Sequence, residues 1–293
     1  MTENTQLKMQ KPDTSGTITP LRELNLMDDF LFDVATVDLE SCKIILELSL
    51  GIKIADIRWK ENQRVIHNLP GNRGIRMDFY VEEVSGQIYD VEMQKRNEGN
   101  LPKRTRFYQA LIDAPLLESG EKGFDNLNPV YIVVICGFDL YGLKKYRYTF
   151  SNLCHESPGL YMGDECRKIF LNTKGENDDE VERELIDFLR YIEHSTEENV
   201  PDGCDERLLN LHKKIHKIKS NEQVEVTYMK MEERDRLIRE AGIAEGAAQG
   251  VAAGTAKVNH LNRILIAQKR YEDLEKASED AEYQEQLFKE FNI

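Results

Sequence analysis

The sequence predicts a mixed α/β fold, a β-sheet core flanked by helices, with a C-terminal helical extension. Three observations carry that expectation. Residues 74–96 alternate apolar and polar side chains with period two on either side of Val84-Ser85-Gly86, the pattern of a β-hairpin. Residues 129–138 (PVYIVVICGF) are almost continuously apolar, which suits a strand buried on both faces, and helical patterns stand before and after them. From about Asn177 the periodicity is helical alone. Strands interleaved with helices, then helices only, describe one layered core with an appendage.

The hairpin is the best-determined element. Ile75, Met77, Phe79 and Val81 share one face of its first arm, and Tyr89, Val91 and Met93 share one face of the second. A two-residue turn at Ser85-Gly86 would set the apolar face of one arm against the polar face of the other. A half-buried sheet does not tolerate that slip. A three-residue Val84-Ser85-Gly86 loop pairs Glu83 with Gln87, Val81 with Tyr89, Phe79 with Val91 and Met77 with Met93. Gly86 then takes the left-handed position that closes a G1 bulge. Asp78 falls opposite Glu92, with Gln94 two residues along on the same face. Like charges so placed repel by a few tenths to ~1 kcal/mol. Either the face is solvated and its charge incidental, or a divalent cation reverses the sign, since carboxylates and water are what magnesium prefers.

The other elements follow in order. Residues 1–19 are small, polar and proline-bearing, and read as a disordered segment. Residues 20–176 read as the core. A helix starts near Leu26 or Asp28 with Phe30, Leu31, Val34 and Val37 as its stripe. A second spans Leu39 to Leu50 and is capped by Gly51. Trp59 to Leu69 is the first strand, and Pro70-Gly71-Asn72 turns into the hairpin. A helix from Leu101 to Ser119 carries Phe107, Ala110, Leu111, Ala114 and Leu117, and Pro115 tightens its end. Tyr146–Phe150 and Ile169–Leu171 are further strands. Residues 177–240 form a helical extension. Asp178 or Asp179 caps a helix with Val181, Leu185, Phe188, Leu189 and Ile192, and a longer helix runs from Asp205 to Glu240. Residues 241–293 read as a Gly/Ala-rich linker, with Gly242, Gly246, Gly250 and Gly254 each weakening a helix by ~1 kcal/mol, and an amphipathic helical tail from Lys257.

Composition bounds the function. The chain has 293 residues, 40% of them hydrophobic, enough for a real core. A net charge of −14 argues against a nonspecific nucleic-acid coat, although binding follows local field rather than total charge. Five cysteines without a CxxC pair, and a polar start without a leader-like apolar segment, read as a cytosolic chain with reduced thiols. No run approaches the length of a membrane span. GxSxG, P-loop and GxGxxG signatures are missing, so acyl transfer and nucleotide hydrolysis find no support. His212 and His216 stand at i, i+4, which fits either a zinc pair lacking a third ligand or a solvated helix face.

One local charge concentration stands out. Lys95, Arg96, Lys103, Arg104 and Arg106 lie within twelve residues and meet only Glu98. They read either as a solvated helix face or, beside the carboxylates, as a track for DNA phosphates. Asp29, Glu40 and Glu47 are acidic residues on the first helices, where each reads as a helix-surface charge.

Asp78 followed by Glu92-Met93-Gln94 after a hairpin, and then a basic helix, resembles the PD-(D/E)XK nuclease superfamily. More narrowly, the chain resembles the PD-(D/E)XK nuclease family transposases, the recombination-promoting nuclease group. Residues 27–32 (MDDFLF), 74–78 (GIRMD), 129–131 (PVY) and 169–175 (IFLNTKG) add to the likeness, which covers about residues 25–235. The resemblance implies a restriction-endonuclease-like core and a Mg²⁺- or Mn²⁺-dependent DNA endonuclease linked to recombination or transposition. Asp78 and Glu92 would hold the metal, and Gln94 would complete the catalytic set. The superfamily often draws a further acid from its first helix, which makes Asp29, Glu40 and Glu47 candidates, with Glu47 preferred. Gln94 departs from the superfamily's lysine, although group members are similar in carrying glutamine. The alternative is a nuclease-derived module that binds DNA or protein without cutting. The C-terminal helices are the segment expected to meet a second copy or a protein partner.

Overall fold

A computed structural model of the protein describes residues 18–66, 75–117 and 123–293. The disordered start expected at residues 1–19 lies, up to residue 17, outside the described residues, as does the turn at residues 70–72. Among the described residues six strands form one sheet: β1 (Ile57–Ile66), β2 (Ile75–Glu83), β3 (Ile88–Gln94), β4 (Val130–Cys136), β5 (Arg147–Phe150) and β6 (Cys166–Asn172). Their order is β1-β2-β3-β4-β6-β5. The β1–β2, β2–β3 and β5–β6 pairs are antiparallel, and β3–β4 and β4–β6 are parallel.

The hairpin has the register that its alternation requires. Phe79 pairs with Val91, Tyr80 with Asp90, Val81 with Tyr89 and Glu82 with Ile88. The Glu83 amide donates to the Gln87 carbonyl at 2.9 Å, and Gly86 sits at φ +91°, a conformation that glycine reaches without strain. One expectation changes. The polar face of the hairpin is not solvated: Tyr80, Asp90 and Glu92 are all buried. The parallel β3–β4 pair is the reason. Parallel strands need a crossover, and the crossover helix α3 (Leu101–Asp113) lies on that face. Leu101, Tyr108, Leu111 and Ile112 of α3 pack with Tyr80, Ile88, Ile132, Val134 and Cys136.

α3 is shorter than expected and ends in a single 3-10 turn at Ala114–Leu116, where Pro115 tightens the chain. Its inner face is Leu101, Thr105, Tyr108, Leu111 and Ile112, while Phe107 is exposed. The buried stripe thus excludes Phe107, contrary to expectation. One residue along a helix is a 100° rotation, and Tyr108 holds the inner position instead.

The opposite layer holds α1 (Asp29–Ala35), α2 (Leu39–Leu50), α4 (Arg183–Glu193) and α5 (Glu206–Lys219). Phe32 of α1 meets Phe79 with ring centroids 5.8 Å apart. Asp38 caps α2 by accepting the Ser41 amide at 3.0 Å, and Gly51 ends it at φ +69°. The start of the fold is tied to the end of α4: Leu26 N–H donates to Ser195 Oγ at 2.8 Å, and Ser195 N–H to Asn25 Oδ1 at 2.8 Å.

Two helix boundaries differ from expectation. Asp178 does not cap α4. It lies in a 3-10 turn and accepts from the Tyr146 hydroxyl at 3.0 Å and from Arg190 at 3.1 Å, so α4 begins only at Arg183. The long helix expected from Asp205 to Glu240 is broken at Ser220-Asn221. Asn221 Oδ1 accepts the Gln223 amide at 2.9 Å and starts α6 (Glu222–Ala267) afresh.

The chain divides into two compact units at Tyr228/Met229, within α6. The glycine stretch expected to be a linker is α-helical, although every residue from 236 to 256 is exposed. In the second unit Leu261 and Leu265 of α6 pack with Ala277 of α7 (Tyr271–Glu279) and with Leu287 and Phe288 of α8 (Ala281–Glu290). Among the described residues, no helix is long and apolar enough to cross a membrane.

Gly175 gives a direct test of this packing. A Cβ there would stand 2.4 Å from Tyr146 Cγ and 2.7 Å from the Tyr146 amide nitrogen. Tyr146 cannot yield easily, because its N–H is held by Asn177 Oδ1 at 2.8 Å and its hydroxyl by Asp178. Gly175→Ala is therefore expected to destabilise the protein by ~1–3 kcal/mol through overpacking. A urea melt should show a lower midpoint at unchanged slope, and an unchanged midpoint would contradict the packing described.

Candidate active site

Asp78 on β2 and Glu92 on β3 each bond the backbone of the facing strand. Asp78 Oδ2 accepts the Met93 amide at 2.7 Å, and the Asp78 amide donates to Glu92 Oε1 at 3.3 Å. The last backbone pair before them is Phe79–Val91, so these carboxylates bridge the arms where the paired register stops. Gln94 follows on the same face of β3.

Arg104, on the second turn of α3, reaches down onto this group. Its Nη2 donates to Glu92 Oε2 at 2.7 Å and its Nη1 to Gln94 Oε1 at 3.3 Å. Gln94 Nε2 donates to the Met93 carbonyl at 2.8 Å, which fixes the amide so that its oxygen faces Arg104. The guanidinium carbon lies 5.4 Å from the Tyr108 ring centroid, a cation–π arrangement. Only 3% of the Glu92 side chain is exposed, against 23% of Arg104, so the arginine is the member of the pair that reaches the surface.

Burial dominates the electrostatics. It pushes the Glu92 carboxyl well above its usual range, and the neighbouring Asp78 charge adds to the rise while Arg104 opposes it. Burial also raises Asp78, to about 6, against the Met93 hydrogen bond; Asp33 and Asp29 of α1 push in the same direction as burial. Asp33 is a contributor that the sequence reading missed, although its i, i+4 spacing from Asp29 on the first helix was visible. Glu47, the preferred additional acid, is committed elsewhere. Its Oε1 accepts the Ile54 amide at 3.0 Å and its Oε2 lies 3.5 Å from Arg207. It fastens the end of α2 to the chain entering β1.

A buried and a half-buried carboxylate that resist ionisation, with hard oxygen donors, fit a divalent ion of the magnesium type. Among the described residues no three His, Cys, Asp or Glu side chains converge as a finished metal cage. Magnesium does not need one, because water and substrate phosphate ordinarily complete its shell. His212, one half of the candidate zinc pair, has its Nδ1 3.1 Å from the Tyr191 hydroxyl. Burial pushes the Cys136 thiol up to about 12, as expected of an inert core cysteine.

The basic cluster separates into three roles. Arg104 turns inward to the carboxylates, Lys95 pairs with Asp28, and Arg96, Lys103 and Arg106 are exposed. The five residues expected to form a phosphate track thus stand as one inward-turned arginine, one ion-paired lysine and three surface cations.

The model of the PD-(D/E)XK nuclease family transposases matches residues 43–243. The chain belongs to that family. The match takes in the whole sheet, α3 and the Asp78–Glu92–Gln94–Arg104 group. Neither the curated proteins nor the solved structures gave a match. The restriction-endonuclease-like mixed sheet expected for this family is the fold observed.

The raised carboxyls make stability depend on pH. Both hold their proton more tightly folded than unfolded, where ordinary values are ~3.9 and ~4.3. In chelator, the stability that these two groups contribute is therefore full below about pH 4. It falls as pH rises through the folded values, about 6 for Asp78 and higher for Glu92. Asp78→Asn keeps the Met93 hydrogen bond and removes one charge. At pH 8 it should equal or exceed the parent in stability, by up to ~1 kcal/mol for a relieved like-charge pair. Chemical melts at pH 5 and pH 8 check this, and parallel pH slopes for the two proteins would count against it.

Proposed function

We propose that this chain is a divalent-metal-dependent DNA endonuclease that hydrolyses phosphodiester bonds, in the service of recombination or transposition. The observation that carries the reading is the desolvated Asp78/Glu92 pair bridging two strands, with a guanidinium from the crossover helix on one of its carboxylates. Membership of a nuclease family supports it, and DNA is the substrate which that family name implies.

Each residue has a task that its position allows. Asp78 and Glu92 would hold Mg²⁺ or Mn²⁺ and orient it against the substrate. The ion, when bound, supplies Lewis-acid polarisation of the phosphate and a more acidic water. Burial of Glu92 removes competing solvent and strengthens every charge interaction there. Gln94 carries no proton that titrates and no charge, so it acts by position alone. Lys103 and Arg106, exposed on the same helix as Arg104, meet the DNA backbone as surface cations. A catalytically silent DNA- or protein-binding module is the competing reading, and it is separated by the same assays.

Plasmid nicking with and without Mg²⁺, beside Asp78→Asn, tests the reaction; a parent that never cuts would favour the binding module. Thermal melts test the ligand set. Mg²⁺ should stabilise the parent by about 2.7 kcal/mol at a hundredfold excess over its Kd, and Asp78→Asn clearly less. Equal stabilisation of both would remove Asp78 from the metal site.

The surface cations have their own signature. Reversing Lys103 and Arg106 to glutamate should weaken DNA binding. It should also make the slope of log affinity against log salt shallower, by ~0.9 for each phosphate that is no longer neutralised. Anisotropy titrations over a range of salt measure it, and an unchanged slope would move the interface to another surface.

A further inference from the structure

Arg104 sits where a surface cation has no reason to be. Its neighbours Lys103 and Arg106 point to solvent, whereas its guanidinium is bound to Glu92 and Gln94 and packed on Tyr108. A buried ion pair is a weak device for stability, since desolvation offsets most of the Coulomb gain. A guanidinium is planar and carries five N–H donors. The two bonds to Glu92 and Gln94 use two of them, and the side chain is still 23% exposed. The fork is thus held rigidly at the edge of the carboxylate group with donors left over, an arrangement matched to phosphate oxygens.

Position 94 makes sense beside it. The Gln94 amide is fixed at both ends, donating to the Met93 carbonyl and accepting from Arg104. A neutral acceptor there orients the guanidinium without opposing it. A lysine at 94 would place an ammonium against the guanidinium, and two cations in so dry a place repel strongly.

We propose that Arg104 is a catalytic residue of this site, the cation that binds the scissile phosphate of DNA, and that Gln94 is its positioning residue. The positive charge is delivered from the crossover helix rather than from strand β3. The inference rests on the nuclease reading above and deepens it. In the metal-free site Arg104 bonds Glu92; with Asp78 and Glu92 holding a divalent ion, its guanidinium would be free to bond the phosphate instead. No bond is made or broken by Arg104 itself; it stabilises charge that develops on the phosphate oxygens.

The test is a charge-swap cycle on the full chain: parent, Arg104→Gln, Arg104→Lys, Gln94→Lys and the double variant Gln94→Lys/Arg104→Gln. Mn²⁺ affinity is measured by calorimetry and DNA cleavage by kcat and KM separately. Arg104→Gln should bind Mn²⁺ more tightly, because a competing cation has left Glu92, and this also reports an intact fold. The same variant should lose ~10²–10³-fold in kcat, the usual loss for one donor to a developing oxyanion, with a much smaller change in KM. Arg104→Lys should fall between it and the parent. Gln94→Lys alone should be impaired, and the double variant should cut faster than either single variant, because the cation has been moved rather than removed.

Arg104→Gln cutting at the parental rate would overturn the proposal, as would a double variant no faster than Arg104→Gln. A parent that neither binds Mn²⁺ nor cuts would overturn the nuclease reading itself and this inference with it. A parent that does both, beside an indifferent Arg104→Gln, would overturn the inference alone.

Discussion

A carboxylate on a strand buried on both faces has to be neutralised from another element, and much of this structure follows from that requirement at Glu92. β3 lies in the middle of the sheet, antiparallel to β2 and parallel to β4. The antiparallel side provides the backbone amide of Asp78, which donates to Glu92 Oε1. The parallel side obliges the chain to cross over the sheet, and the crossover helix brings Arg104. Compensation therefore comes from the two kinds of neighbour that a mixed sheet offers, a strand arm and a crossover. A purely antiparallel meander would have left the same face open to water, with no helix to carry the guanidinium.

Much of the fold was legible because period-two alternation and glycine placement are local signals. Phe79, Val81, Tyr89 and Val91 set the register by themselves, and Gly86 closed the loop. Gly51 ended α2 for the same local reason. What stayed hidden depends on partners distant in sequence. Nothing local distinguishes Arg104 from Lys103 or Arg106; only the helix rotation over β3 does so. The burial of Asp90 and Glu92 was hidden likewise, since a polar-apolar alternation reads as half-solvated until the crossover is known. Asp178 had the composition of a helix cap but was claimed by Tyr146 and Arg190, partners that reach it across the fold.

The glycine stretch in α6 shows the reverse failure, where a local penalty was given too much weight. Four glycines at i, i+4 spacing lower the propensity, yet the residues between them are mainly alanine, with glutamate and glutamine, among the better helix formers. Helix growth is cooperative, so packed turns around Tyr228 in one unit and around Leu261 and Leu265 in the other supply nuclei from which it extends. The break fell instead at Ser220-Asn221, where short polar side chains bond the backbone and offer it a cap.

The residues of the site come from one short stretch of chain. Asp78, Glu92, Gln94 and Arg104 need only a hairpin and the first turns of the next helix to meet; β4, β5 and β6 contribute none of these side chains. Their closure entropy is small, and contacts of this kind form early on a folding chain. All four residues are thus present in the growing chain before the strands that seal Glu92 on the parallel side are made.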